Sequence, residues 1–219
     1  MTSDAARVVL VLPTARADYF GTAKYATAWQ VRNALRVAER LCAGAGVDVF
    51  LYGNPADGRH ADEGVAVRTR VEPASLAEWT AEWAVLSNDG LGFLGDARPP
   101  GRVERTFVVG GPTWFTSPLG ALREVSAVVR EGPGPTLVIF QIDSRIDQRG
   151  MVLGIRDTGE EAAFWQVFGR ERSVDQTFWR QDGLHRGRVL PNLAVHFDAE
   201  WSHRSVARRF ARWRKRTRG

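Results

Sequence analysis

Arg7-Val8-Val9-Leu10-Val11-Leu12, closed by Pro13, is a continuous apolar run rich in β-branched side chains. Such side chains suit a pleated strand. The run does not alternate polar with apolar, so both faces of the strand are expected to be buried, as in a parallel sheet covered on each side by helices. Residues 14–21 form a polar loop. A helix is predicted from Thr22, with Ala28, Val31, Leu35, Ala38 and Cys42 recurring at spacings of three and four, and Gly44 and Gly46 ending it. Residues 47–52 (VDVFLY) read as a second strand, stopped by Gly53-Asn54-Pro55.

The same punctuation continues outward from this first strand–helix–strand unit. Residues 55–74 are loop-like, with a short strand at 65–71. Ser75 and Glu78 have the spacing of a capping box, and the helix they open carries Leu76, Trp79, Trp83 and Leu86. Residues 105–109 (RTFVV) are expected to be the third strand, and a helix follows at about 119–130 with Leu122, Val125 and Val129 on one side. Gly132-Pro133-Gly134-Pro135 breaks it, and residues 136–142 (TLVIFQI) form a fourth buried strand. Residues 151–155 admit a strand, residues 160–168 look helical, and residues 189–197 read as a fifth strand that Pro191 weakens or assigns to an edge. A basic helix opens at Ser202 or His203, with Val206, Phe210 and Trp213 on its apolar side. Five strands, each followed by a helix, predict a three-layer α/β sandwich around a parallel five-stranded sheet. Ligands in such sheets sit beyond the carboxyl ends of the strands, where the strand order reverses.

The 219 residues, 44% hydrophobic and 25% charged, suffice for one domain with a full core. That domain is expected to span residues 1–203, with residues 204–219 as a basic helix end. The last sixteen residues hold eight Arg and Lys and no acid, so the remaining 22 basic and 25 acidic residues leave the body mildly acidic. The single cysteine, Cys42, excludes an internal disulfide and a cysteine-based metal site. The first apolar run is too short for a signal-peptide core, and no stretch approaches the roughly 18 apolar residues of a membrane span. Cytoplasmic residence is the expectation.

Residues 110–123, Gly110-Gly111-Pro112-Thr113-Trp114-Phe115-Thr116-Ser117-Pro118-Leu119-Gly120-Ala121-Leu122-Arg123, carry the strongest chemical lead. A strand ends in glycines that let a ligand approach the backbone, a proline fixes the turn, and two aromatics stand ready to stack on a flat ring. This stretch resembles the flavin-binding loop of the flavodoxin-like superfamily, in particular the NAD(P)H-dependent FMN reductases, whose pattern is roughly Pro-x-aromatic-x-x-Ser-x-x-Gly-x-Leu-Lys. Pro112, Trp114, Ser117, Gly120 and Leu122 match, and Arg123 replaces the Lys. The resemblance implies a flavodoxin-like fold with strand order 2-1-3-4-5, FMN as cofactor, and a dimeric, cytoplasmic flavoprotein oxidoreductase passing electrons from NAD(P)H to a small acceptor. Gly111, Pro112, Thr113, Trp114, Phe115 and Thr116 would line the ring. Thr14, Arg16 and Thr22, in the loop after the first strand, would hold the phosphate. The chain departs from the family in a longer stretch between the second and third strands. It also has Ile142-Asp143-Ser144-Arg145-Ile146-Asp147 where the reductases carry a glycine-rich loop. No catalytic residue is assigned.

Other constellations are weaker. Asp143, Asp147 and Asp157 suit Mg²⁺ or base work, or form a solvated loop paired with Arg145 and Arg149. His60, His185, His196 and His203 lack metal-ligand spacing. Ser87, Ser117 and Ser144 have no Gly-x-Ser-x-Gly context. Trp79 and Trp83 read as packing residues, and Trp165 and Trp179 as packing or pocket residues. The basic C-terminal helix, with Phe210 and Trp213, suggests a second reading, a non-enzymatic α/β module that binds nucleic acid or an acidic partner. A nucleic-acid surface would also need cations from the body.

Overall fold

The computed structural model describes residues 6–13, 28–42, 46–53, 64–83, 102, 118–132, 134–142, 148–159, 162–169, 190–196 and 201–217. The elements are β1 (Arg7–Pro13), α1 (Ala28–Cys42), β2 (Val47–Gly53), β3 (Val65–Val71), a 3-10 turn (Pro73–Ser75), α2 (Leu76–Trp83), α3 (Leu119–Glu131), β4 (Thr136–Ile142), α4 (Gln148–Asp157), β5 (Ala163–Gly169), β6 (Leu193–His196) and α5 (His203–Thr217).

Among the described residues, six strands form one sheet in the order β3-β2-β1-β4-β5-β6. Every neighbouring pair is parallel except β2 and β3, which run antiparallel from Val47 opposite Val71 to Gly53 opposite Val65. β1 is central, with Val9 opposite Asp48 on one side and Val138 on the other. Its Val8, Leu10 and Leu12 point into one core with Val31, Leu35 and Ala38 of α1 and Val206, Phe210 and Trp213 of α5. Val9 and Val11 point into a second core with Leu122, Val125 and Val129 of α3 and Met151 and Ile155 of α4. These two cores explain why the first strand lacks alternation: helices cover both of its faces.

Several sequence expectations are corrected. Among the described residues the sheet has six strands, not five, and the 65–71 segment supplies an antiparallel one. β1 pairs directly with β4, so residues 136–142 occupy the place next to the first strand that the order 2-1-3-4-5 gave to residues 105–109. The latter lie outside the described residues. The five parallel strands do follow 2-1-3-4-5 in their own chain order, with β4, β5 and β6 as the last three. The segment read as helical at 160–168 is largely strand β5. Its run AFWQVFG is buried from Ala163 to Phe168, and a strand buried on both faces gives no period to distinguish it from a helix. The strand considered at 151–155 lies within α4. β6 is an edge strand, and Pro191 sits in the turn before it, where its missing N–H costs nothing. Ser75 does not cap α2 with Glu78. Its hydroxyl accepts from the Glu72 N–H at 3.0 Å, because the chain enters α2 through the 3-10 turn at Pro73.

Candidate functional site

Order reverses between β1 and β4: β2 and β3 were added on one side of β1, and β4, β5 and β6 on the other. The carboxyl ends of β1 and β4 are therefore where the connections diverge, the place at which ligands bind in sheets of this kind. Helices α1 and α3 are among those that begin at this edge. α1 starts beyond β1, and its first-turn Gln30 donates through Nε2 to Oε1 of Gln141, the penultimate residue of β4. α3 ends at the opposite, amino edge, where Arg7 Nη1 donates to the Val128 carbonyl at 3.1 Å, so its start at Leu119 faces the carboxyl edge. Helix starts present unpaired N–H groups and partial positive charge.

Gln30 and Gln141 are 4% and 6% exposed, among the few buried polar side chains of the described residues. The Tyr52 hydroxyl, at the end of β2, donates to the Gln141 carbonyl at 3.0 Å from the other face. Phe140 packs on the Tyr52 ring with centroids 5.7 Å apart, which fixes the phenol. Two carboxamides and a phenol thus converge at the reversal point. All three are buried and bonded within the cluster, so they brace the carboxyl end of β4 from both faces of the sheet. Among the described residues, no group of three His, Cys, Asp or Glu could hold a metal ion.

The sequence-predicted site residues Thr14, Arg16, Thr22, Gly111, Pro112, Thr113, Trp114, Phe115 and Thr116 lie outside the described residues, as do Asp143, Asp147, His60, His185 and Trp179. The segments that contain them join onto this edge: residues 14–27 link β1 to α1, and residues 110–117 lead into Pro118 and α3. Asp157 is exposed and lies 3.7 Å from Arg156, on α4. Trp165 is fully buried in β5, and Trp79 and Trp83 are buried on the inner side of α2, where they also border a groove of about 250 Å³ with Arg68, Arg70 and Arg102. Gln30, Tyr52 and Gln141 escaped the sequence reading. Their signal was a polar or phenolic residue near the end of an otherwise apolar strand, and a glutamine in a helix's first turn.

The opposite, amino edge holds a charge cluster. Asp48 is buried, and its carboxylate accepts from Arg7 Nε at 2.7 Å, Arg68 Nη2 at 3.0 Å and Arg70 Nη1 at 3.4 Å. Burial would raise its pKa, but hydrogen bonds and charge from Arg7 and then Arg68 outweigh burial and hold it below the ordinary carboxylate value. The cluster ties β1, β2 and β3 together on the side away from the carboxyl edge.

Among the described residues, no helix is long and apolar enough to cross a membrane. The chain matches no family model, no curated protein and no solved structure.

Proposed function

We propose that the chain is a flavodoxin-like oxidoreductase that binds FMN at the carboxyl ends of β1 and β4 and passes electrons from NAD(P)H to a small acceptor. The observation that carries this reading is the reversal of strand order at β1 and β4, flanked by the starts of α1 and α3. The two segments that resemble FMN-reductase loops are the ones that enter those helices. The parallel strands' order 2-1-3-4-5 agrees with that fold.

In this reading Thr14, Arg16 and Thr22 hold the phosphate, with Arg16 offering a planar fork of donors and the first turn of α1 its free N–H groups. Gly111 to Thr116 run along the ring edge, and Trp114 supplies a stacking face. Gln30, Gln141 and Tyr52 brace the end of β4 beside it. The flavin, when bound, supplies the redox chemistry, and the chain positions it and excludes water.

The test is the visible absorption spectrum of the purified protein after incubation with FMN and removal of the excess. Retained flavin bands that disappear in an Arg16→Ala, Trp114→Ala double variant are the expected result. A protein that retains no FMN overturns the reading. Retention unchanged in the double variant overturns the site assignment.

A further inference from the structure

α1 and α5 lie in the same helical layer and share one hydrophobic core. α5 turns Val206, Phe210 and Trp213 inward, each at most 2% exposed. Its outward positions are Arg204, Arg208, Arg212, Lys215 and Arg216, all exposed, and the helix contains no acid. From Arg204 to Arg216 this row runs about 18 Å along the helix axis. Beside it, α1 exposes Arg32, Arg36 and Arg40, with Glu39 as its one acid. The two sets meet at His203, whose pKa is held below its ordinary value first by burial and then by the charges of Arg40, Arg36 and Arg204. Among the described residues, no ion pair joins Arg36, Arg40, Arg204, Arg208, Arg212, Lys215 or Arg216 to a carboxylate. The cations of α5 also border a groove of about 570 Å³ over β6, lined by Arg209, Arg212 and Arg216 with His196, Leu193 and Phe164. Arg209 is fixed there by Gln166, whose Oε1 accepts from its Nη1 at 3.1 Å.

We propose that this two-helix face, Arg36 and Arg40 of α1 with Arg204, Arg208 and Arg212 of α5, binds the phosphodiester backbone of a nucleic acid without reading its sequence. The body supplies part of the surface, so the site is more than a basic tail. Six of the seven unpaired cations are arginine, whose planar fork matches phosphate oxygens. An anionic membrane is a poorer occupant, because a helix lying on a bilayer inserts its apolar face, and that face of α5 is already buried in the core. A protein partner is poorer too. Protein interfaces centre on apolar or aromatic anchors, and among the described residues the one large exposed hydrophobic side chain is Leu153, on α4 in the opposite layer. The proposal is independent of flavin binding.

Fluorescence anisotropy of full-length protein with a labelled random-sequence duplex of about 20 base pairs, and with the corresponding single strand, tests it. The expected result is binding at roughly 50 mM salt, with log K falling against log salt at a slope of about −4 to −6 for the duplex. Arg36→Gln with Arg40→Gln should weaken it and reduce the slope by about two. Arg156→Gln, on the opposite layer, should change nothing. Circular dichroism checks that each variant is folded. No binding to either nucleic acid at low salt overturns the proposal, and so does binding that the α1 pair does not affect. Tighter association with phosphatidylserine vesicles or with polyglutamate overturns it in favour of those occupants.

Discussion

Asp48 is a buried carboxylate in a strand whose other side chains are almost all apolar, and it is tolerated because three guanidinium groups surround it. Its pKa is depressed in the folded protein. Its stabilisation is therefore fully present above the unfolded value, about 3.9, and is lost as pH falls through the lower folded value. Asp48→Asn should cost on the order of 2 kcal/mol at neutral pH, a figure held down because Arg7, Arg68 and Arg70 remain partly hydrated. Urea unfolding of both proteins from pH 7 downward checks this: the gap should narrow below about pH 4, where the wild type loses the charge too. An equal gap at every pH would mean that the carboxylate's charge is not what stabilises. Asp48 was visible in the sequence only as a polar interruption of VDVFLY. Its three partners come from β1 and β3, and no local pattern announces a pairing made by strand register.

At the scale of elements, α3 and α4 cover one face of the sheet, and their contact depends on a missing side chain. A Cβ on Gly154 of α4 would overlap the Leu122 side chain of α3. Gly→Ala inside a helix ordinarily stabilises it by about 1 kcal/mol, but overpacking a tight contact costs about 1–3 kcal/mol. Gly154→Ala should therefore destabilise the protein slightly, by about 1 kcal/mol on balance. Adding Leu122→Ala should recover part of that cost, a coupling that denaturant titration of the four-member cycle measures. The sequence predicted α1, α3, α5, β1, β2 and β4 where they occur, because amphipathic periods and glycine or proline stops mark them. β5 and α4 were misread for one physical reason. Short apolar runs such as AFWQVFG and MVLGI carry no period that separates a buried strand from a buried helix, and tertiary context decides. The candidate site was legible as a place, the strand-order reversal, but the buried polar cluster beside it, Gln30, Tyr52 and Gln141, assembles only when three elements meet.

For the whole molecule, α5 packs Val206, Phe210 and Trp213 into the core shared by β1 and α1. Phe164 of β5 meets Phe210 and Trp213 with ring centroids 6.5 and 5.9 Å apart, and Trp201 stacks on Phe168 at 5.5 Å. Deleting residues 204–219 removes three buried anchors. It should lower stability by several kcal/mol, since truncating one large aromatic core residue alone costs about 3–5 kcal/mol. Loss of a cooperative thermal transition would be the readout, and a truncated chain that melts like the full one would contradict this packing. The direct pairing of Arg7 with Thr136 has a further consequence, for the order in which the chain assembles. β2 and β3 are joined by a short excursion and can zip together early, at small entropic cost. The middle of the sheet closes only after most of the chain has been made and brought back, a non-local step of the kind that slows folding. During synthesis, the nascent chain up to β3 must wait with one flank of β1 open until β4 emerges. In that interval two strand edges stand unpaired, and they differ: the outer strand β3 carries Arg68 and Arg70, which discourage edge-to-edge pairing, whereas the apolar flank of β1 is the one left to guard.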